Sequence, residues 1–110
     1  FIMVDFPPPV PGVITQYPNP GHDAYDFACL VGTPVIAVHD GTIHEFRDGR
    51  LGIQIRLTGP DGVRSLYAHL DSVTASGEVK KGDVIATCGN TGAWSTGPHL
   101  HFESTATYMF

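Results

Sequence analysis

Positive charge is scarce in this chain: Lys and Arg number six against eleven Asp and Glu in 110 residues, a formal net charge of -5. Nucleic acid is therefore excluded as a partner, because phosphate contacts need clustered cations and none cluster here. The same lack leaves an anionic surface no basic amphipathic stretch on which to dock. No apolar run approaches the roughly 20 residues of a transmembrane helix, so membrane insertion is not expected. Cysteine is sparse as well. Cys29 and Cys88 are too far apart in sequence to make a C-x-x-C metal or redox motif. Two readings of the pair stay open, buried free thiols or a disulfide formed in an oxidising compartment. No secretory leader is visible and the chain begins at Phe1, so it reads as a mature product or an excised domain.

Glycine and proline are plentiful, at thirteen and nine residues. They imply many tight turns and favour short strands joined by hairpins over long helices. Hydrophobic residues make up 42% and charged residues 15%, a balance that supports one compact domain. Residues 1–10 read as an extended Pro-rich segment, and residues 11–110 as the domain itself. Strands are predicted at Val13–Thr15, Pro34–Val38, Thr42–Arg47, Leu51–Leu57 and Val63–Leu70. The turns between the later ones are Asp48-Gly49-Arg50 and Gly59-Pro60-Asp61-Gly62. Val84–Thr87 and His99–Ser104 are expected to form a further strand pair across a glycine-rich loop. The predicted fold class is all-β, antiparallel, without an amphipathic helix of useful length.

The candidate chemistry begins at Gly97-Pro98-His99-Leu100-His101-Phe102-Glu103. On a strand, side chains alternate between faces, so His99, His101 and Glu103 share one face and Leu100 and Phe102 the other. The apolar pair anchors the strand while the imidazoles stand together over a cleft. Neutral imidazole is the commonest metal ligand. A second candidate is His22-Asp23-Ala24-Tyr25-Asp26, a histidine and a carboxylate four positions apart. His44 and Asp48 repeat that spacing, but Asp48 falls in a hairpin turn, where Asp commonly serves the turn. That pair is read as structural. Two histidines and one carboxylate would give zinc three ligands and an open fourth position, the arrangement of a catalytic rather than a structural site. Hydrolysis also needs a proton acceptor and an oxyanion donor, for which His99 and His69, in Tyr67-Ala68-His69-Leu70, are the candidates.

From about Pro11 to Glu103 the chain resembles the lysostaphin-type, or LytM-like, zinc endopeptidases, which cleave peptides of bacterial peptidoglycan. The resemblance rests on His22 and Asp26, on Gly32-Thr33-Pro34-Val35 with Ala37 and Asp40-Gly41, and on Tyr67-Ala68-His69-Leu70. It continues through Gly77, Val79, Gly82 and Gly89-Asn90-Thr91-Gly92 to Ser95-Thr96-Gly97-Pro98-His99-Leu100-His101-Phe102-Glu103. It implies a single Zn2+ per chain on His22, Asp26 and His101, with His69 and His99 as the non-ligand histidines that activate water and stabilise the transition state. It implies a groove walled by loops, peptidoglycan peptides as substrate and an extracytoplasmic location, whether secreted, periplasmic, wall-associated or on a phage virion. An inactive wall-binding or hydrolase-activating module is the alternative. Such modules typically lack one or more of these five positions, all of which are filled here. Glycines around Gly89, Gly92 and Gly97 are expected to let an extended peptide approach the backbone closely.

Three departures from the family pattern carry expectations of their own. Ala24 stands where the family usually has glycine, which would cost about 1 kcal/mol if the backbone there needs a positive φ. The segment between Thr15 and His22 is short, so one groove wall should be low. The chain stops soon after Glu103, where relatives often continue, so a terminal strand is expected to be missing.

Overall fold

The structure, a computed structural model, describes residues 3–5, 7–21, 24–60, 62–105 and 107–109, the first and last of these by backbone alone. Twelve strands and no helix occur among the described residues. In chain order they are β1 (Met3–Asp5), β2 (Ile14–Gln16), β3 (Tyr25–Ala28), β4 (Pro34–Ile36), β5 (Gly41–Asp48) and β6 (Gly52–Thr58). The others are β7 (Arg64–Leu70), β8 (Ser72–Val73), β9 (Gly77–Val79), β10 (Val84–Thr87), β11 (His99–Ser104) and β12 (Thr107–Met109). The all-β expectation holds, and the predicted strands lie within two residues of those observed.

A seven-stranded antiparallel sheet, ordered β2-β3-β11-β7-β6-β5-β9, forms the body of the molecule. A second, three-stranded sheet is ordered β4-β10-β8. The expected pairing of Val84–Thr87 with His99–Ser104 is not formed. β10 lies between β4 and β8, while β11 lies between β3 and β7. Both strands have a buried side, and periodicity records that a strand is buried without saying by which neighbour. Past the end of β10, an isolated bridge joins Gly89 to His99 at the start of β11. A short strand does follow Glu103: β12 pairs with β1, in parallel, against the expectation of a missing terminal strand.

The core fills the space behind the large sheet. On β11, Leu100 and Phe102 are fully buried, and Phe102 packs edge-on against Tyr67 of β7 (centroids 5.2 Å apart) and Phe27 of β3 (6.5 Å). Burying an aromatic ring of this size removes 150–250 Å² from water, and the edge-to-face geometry adds to that. The Tyr67 hydroxyl accepts the Val38 amide and hydrogen-bonds Ser65 Oγ, and burial pushes its pKa up to about 12. Val10 is also buried in this core, and Pro9 O accepts the Ile36 amide, so the Pro-rich segment is packed into the domain at its end. Cys29 and Cys88 form a disulfide with Cα atoms 6.3 Å apart, which resolves the open choice between thiols and a bridge. It joins the end of β3 to the end of β10, fastening one sheet to the other.

Candidate active site

Three neighbouring strands of the large sheet place the candidate residues on the face opposite the core. In the β3–β11 ladder His101 stands directly across from Asp26, while Leu100 is paired with Phe27 on the buried side. Asp26 and His101 therefore project together because their neighbours Phe27 and Leu100 project inward. His99 and Glu103 share that face, as the H-x-H-x-E spacing predicts.

His69 reaches the same face by a different route. Ala68 is the direct partner of His101 on β7, so strict alternation would turn the next residue, His69, toward the core. Between Ile53 and Ile55 of β6 the register slips: Ile53 pairs with Leu70 and Ile55 with Tyr67, leaving one extra residue on β7. His69 sits in this bulge at φ 61°, the only non-glycine residue at positive φ among the described residues. The turn swings its ring to 4.7 Å from that of His99 and 5.8 Å from that of His101, centroid to centroid. Left-handed backbone outside glycine costs on the order of 1 kcal/mol or more and concentrates where function needs it.

Hydrogen bonds fix which ring nitrogens face the groove. A carbonyl oxygen can only accept, so the 2.6 Å bond from His69 Nδ1 to Thr91 O puts the proton on Nδ1 and leaves Nε2 with its lone pair. His99 is set the same way, with Nδ1 donating to Gly97 O at 2.8 Å. Thr91 holds the bulge from several sides: its hydroxyl donates to Leu70 O (2.6 Å) and accepts the Ile53 amide (3.1 Å). Burial is the main cause that lowers the pKa of His69. The Thr91 carbonyl works against it, the adjacent His99 and His101 add to it, and Asp26 opposes it weakly.

His101 is held between two carboxylates. Nε2 lies 2.9 Å from Glu103 Oε2 and Nδ1 lies 3.5 Å from Asp26 Oδ1, which is also 4.0 Å from His99 Nε2. With Nε2–H donated to Glu103, a neutral His101 turns the Nδ1 lone pair toward the Asp26 carboxylate. That separation suits a cation shared between the two atoms, either a proton on His101 or a metal ion. One imidazole nitrogen and one carboxylate oxygen, with the second ring nitrogen oriented by another carboxylate, is a donor set that suits zinc. His22 lies outside the described residues.

The groove over these side chains holds about 510 Å³ and is lined by Gln16 and Gly21 on one side and by Leu51, Trp94 and Thr96 on the other. A larger hollow of about 760 Å³, beside Asp40, His44 and Glu78, contains a single histidine and none of the residues above. Of the His44–Asp48 pair, Asp48 serves its hairpin turn. Asp48 Oδ1 accepts the amides of Arg50 and Leu51, and Oδ2 accepts Gln54 Nε2, which is why its pKa is lowered. The cap shapes the turn whose Leu51 O receives the His69 amide.

Two expectations need revision. Ala24 is buried and its φ is not positive, so the position does not need the glycine that the family pattern suggests. Gly89 and Gly92 serve other parts of the chain rather than a substrate. A Cβ on Gly89 would meet the backbone of residues 69–71, and one on Gly92 that of Arg50 and Leu51. Sequence reasoning gave no role to Thr91, Trp94 or Leu51. Glu103 it placed on the correct face without a task, although the H-x-H-x-E alternation sets Glu103 next to His101.

Comparison with known proteins gives the family and the fold. The model of peptidase family M23 matches residues 20–108, and the chain belongs to that family. It is 45% identical over 85 residues to the DD-carboxypeptidase/endopeptidase Mpg of Neisseria meningitidis, a match that covers 76% of this chain and 20% of the relative. The chain thus spans about one fifth of that protein's length. Among solved structures, a zinc-containing peptidase from Vibrio cholerae superposes with a TM-score of 0.80 at 31% identity, over 92% of this chain and 36% of the other. The catalytic domain of the antimicrobial peptidase lysostaphin from Staphylococcus simulans gives 0.71 at 34% identity, over 97% and 80%.

Proposed function

We propose that this chain is the catalytic domain of a zinc-dependent endopeptidase that acts outside the cytoplasm on peptide bonds in the stem or cross-bridge of bacterial peptidoglycan. One Zn2+ per chain would be held by His22, Asp26 and His101. The observation that carries this reading is the opposition of His101 Nδ1 and Asp26 Oδ1 at 3.5 Å, with Glu103 on the far nitrogen of the same ring. Family membership supports it, as do a zinc-containing structural neighbour and relatives named as an endopeptidase and as lysostaphin.

Zinc in this position supplies Lewis acidity, which polarises a peptide carbonyl and acidifies a water. The protein's own contribution is to proton handling and position. His69 and His99 each have Nδ1–H tied to a backbone carbonyl, so each offers Nε2 to the groove. One can take the proton from an attacking water and the other can hold a proton against the developing oxyanion or return it to the departing amine. Burial disfavours a charged His69, which suits it to accept. Leu51, Trp94 and Thr96 on one wall and Gln16 and Gly21 on the other confine an extended peptide across the histidines.

The test is digestion of purified peptidoglycan, followed by the release of free amino groups. Wild-type protein is expected to open peptide bonds, to stop after chelation, and to recover on addition of zinc. His99→Ala should be inactive with its zinc retained. Wild-type protein that is replete with zinc yet cuts no peptide from several wall types would refute the enzyme and leave the binding module.

A further inference from the structure

Beyond Glu103 the groove opens into a second recess of about 370 Å³, lined by Arg56, Arg64, Ser65, Leu66, Glu103, Ser104 and Thr105. Glu103 lines both cavities, so the recess adjoins the groove at that residue. This recess gathers two of the chain's six cationic side chains in a protein of net charge -5. Among the described residues neither guanidinium has a carboxylate within ion-pair distance, whereas Arg47 is paired with Glu45 at 3.8 Å. Glu103, the acidic group in the recess, is drawn toward His101 at 2.9 Å.

The Arg56 side chain and the Arg64 backbone are held in place. The Arg56 guanidinium lies over the Phe46 ring, 5.3 Å from its centroid, which restricts its orientation. The Arg64 amide donates to Thr105 Oγ1 and its carbonyl accepts the Thr105 amide, both at 2.9 Å, so the end of β7 is fastened to the chain after β11. The ladders give the distance to the chemistry. Glu103 pairs with Leu66, and Leu66 with Arg56, so Arg56 is two strands across and one pleat along from His101. Arg64 is two pleats along β7 from Ala68, the partner of His101. At ~4.8 Å between strands and ~3.3 Å per residue, Arg56 lies roughly 12 Å and Arg64 roughly 14 Å from His101, the span of about four extended residues.

We infer that this recess is a carboxylate subsite, and that the preferred substrate is an acidic peptide carrying a free carboxylate about four residues from the bond cleaved. A planar guanidinium fork matches a carboxylate in two parallel hydrogen bonds, and a neutral bridge made only of glycine would leave it unused. The inference rests on the endopeptidase reading, so its test separates the two. The probes are octapeptides of glycine and alanine with one glutamate walked along the chain, each matched with its glutamine twin. Binding is measured by calorimetry on zinc-loaded His99→Ala protein, where turnover is absent, and hydrolysis of the same peptides is followed with wild type. At one position the glutamate peptide should bind about fivefold to tenfold tighter than its twin, a preference that shrinks with added salt. In the background that also carries Arg56→Gln and Arg64→Gln, both exposed side chains, that ratio should fall to about one. Equal binding of every pair, or a preference that survives the double substitution, would overturn the subsite. Preference without hydrolysis by wild type would instead keep the subsite and refute the endopeptidase.

Discussion

His69 combines a left-handed backbone with a buried ring, and both bear on its proton. Burial disfavours the imidazolium, so its folded-state pKa lies below the ordinary value of about 6.5. The sign follows directly: the unfolded chain binds this proton more readily, so the stability tied to His69 is fully present above pH 6.5. It is lost as pH falls from there through the folded-state pKa. An NMR titration of the His69 ring should show a midpoint below 6.5, and a midpoint above it would mean that burial is not the dominant influence. Glu103 acts at the same scale through a single contact with His101 Nε2. Replacing the carboxylate that orients a ligand imidazole typically weakens metal binding 10–100-fold. Glu103→Ala is therefore expected to lose zinc to a competing chelator at a correspondingly lower concentration, with Glu103→Gln falling between it and wild type. Equal zinc affinity in all three proteins would remove Glu103 from the ligand's support.

At the scale of elements, the bulge in β7 and the straight run of β11 contribute histidines by opposite means. β11 is regular, so its alternation was readable: two apolar residues inward, His99, His101 and Glu103 outward. β7 breaks alternation at His69, and nothing in Tyr67-Ala68-His69-Leu70 shows that one residue is looped out. The cause lies in contacts made by distant parts of the chain. Thr91 ties down Leu70 and Ile53, and Gly89 lets the following backbone pass close to residues 69–71. Family resemblance named His69, whereas its geometry needed the fold. Gly89→Ala tests this arrangement, since the added methyl would press on the backbone that carries the bulge. Overpacking of this kind costs about 1–3 kcal/mol. The variant should lose stability by that amount in urea while its activity falls further than the loss of folded protein explains. Activity that declines only in step with folded fraction would show that the bulge tolerates displacement.

Over the whole molecule, two sheets are held together by a shared core and one covalent link. The sequence separation of 59 between Cys29 and Cys88 implies about 4 kcal/mol in the chain-entropy account of a disulfide. Reducing agent, or Cys29→Ala with Cys88→Ala, should lower the urea midpoint by a matching amount. An unchanged midpoint would mean that the core alone sets stability. Seven strands were legible because turns announce themselves through Gly, Pro and Asp, and so was the class of fold, but β3, the strand that carries Asp26, was not among them. Partners were not: β10 and β11 look like neighbours across a glycine-rich loop, yet each closes onto strands distant in sequence. Asp26 and His101 show how pairing decides the site, because only the β3–β11 register sets them opposite each other. The central claim is that this meeting point, completed by His22, is a zinc site. Metal analysis of the dialysed protein tests it most directly. About one zinc per chain is expected in wild type and in His69→Ala and His99→Ala, and close to none in His22→Ala, Asp26→Ala and His101→Ala. Zinc retained in full by the second group, or absent from folded wild type after loading, would contradict it.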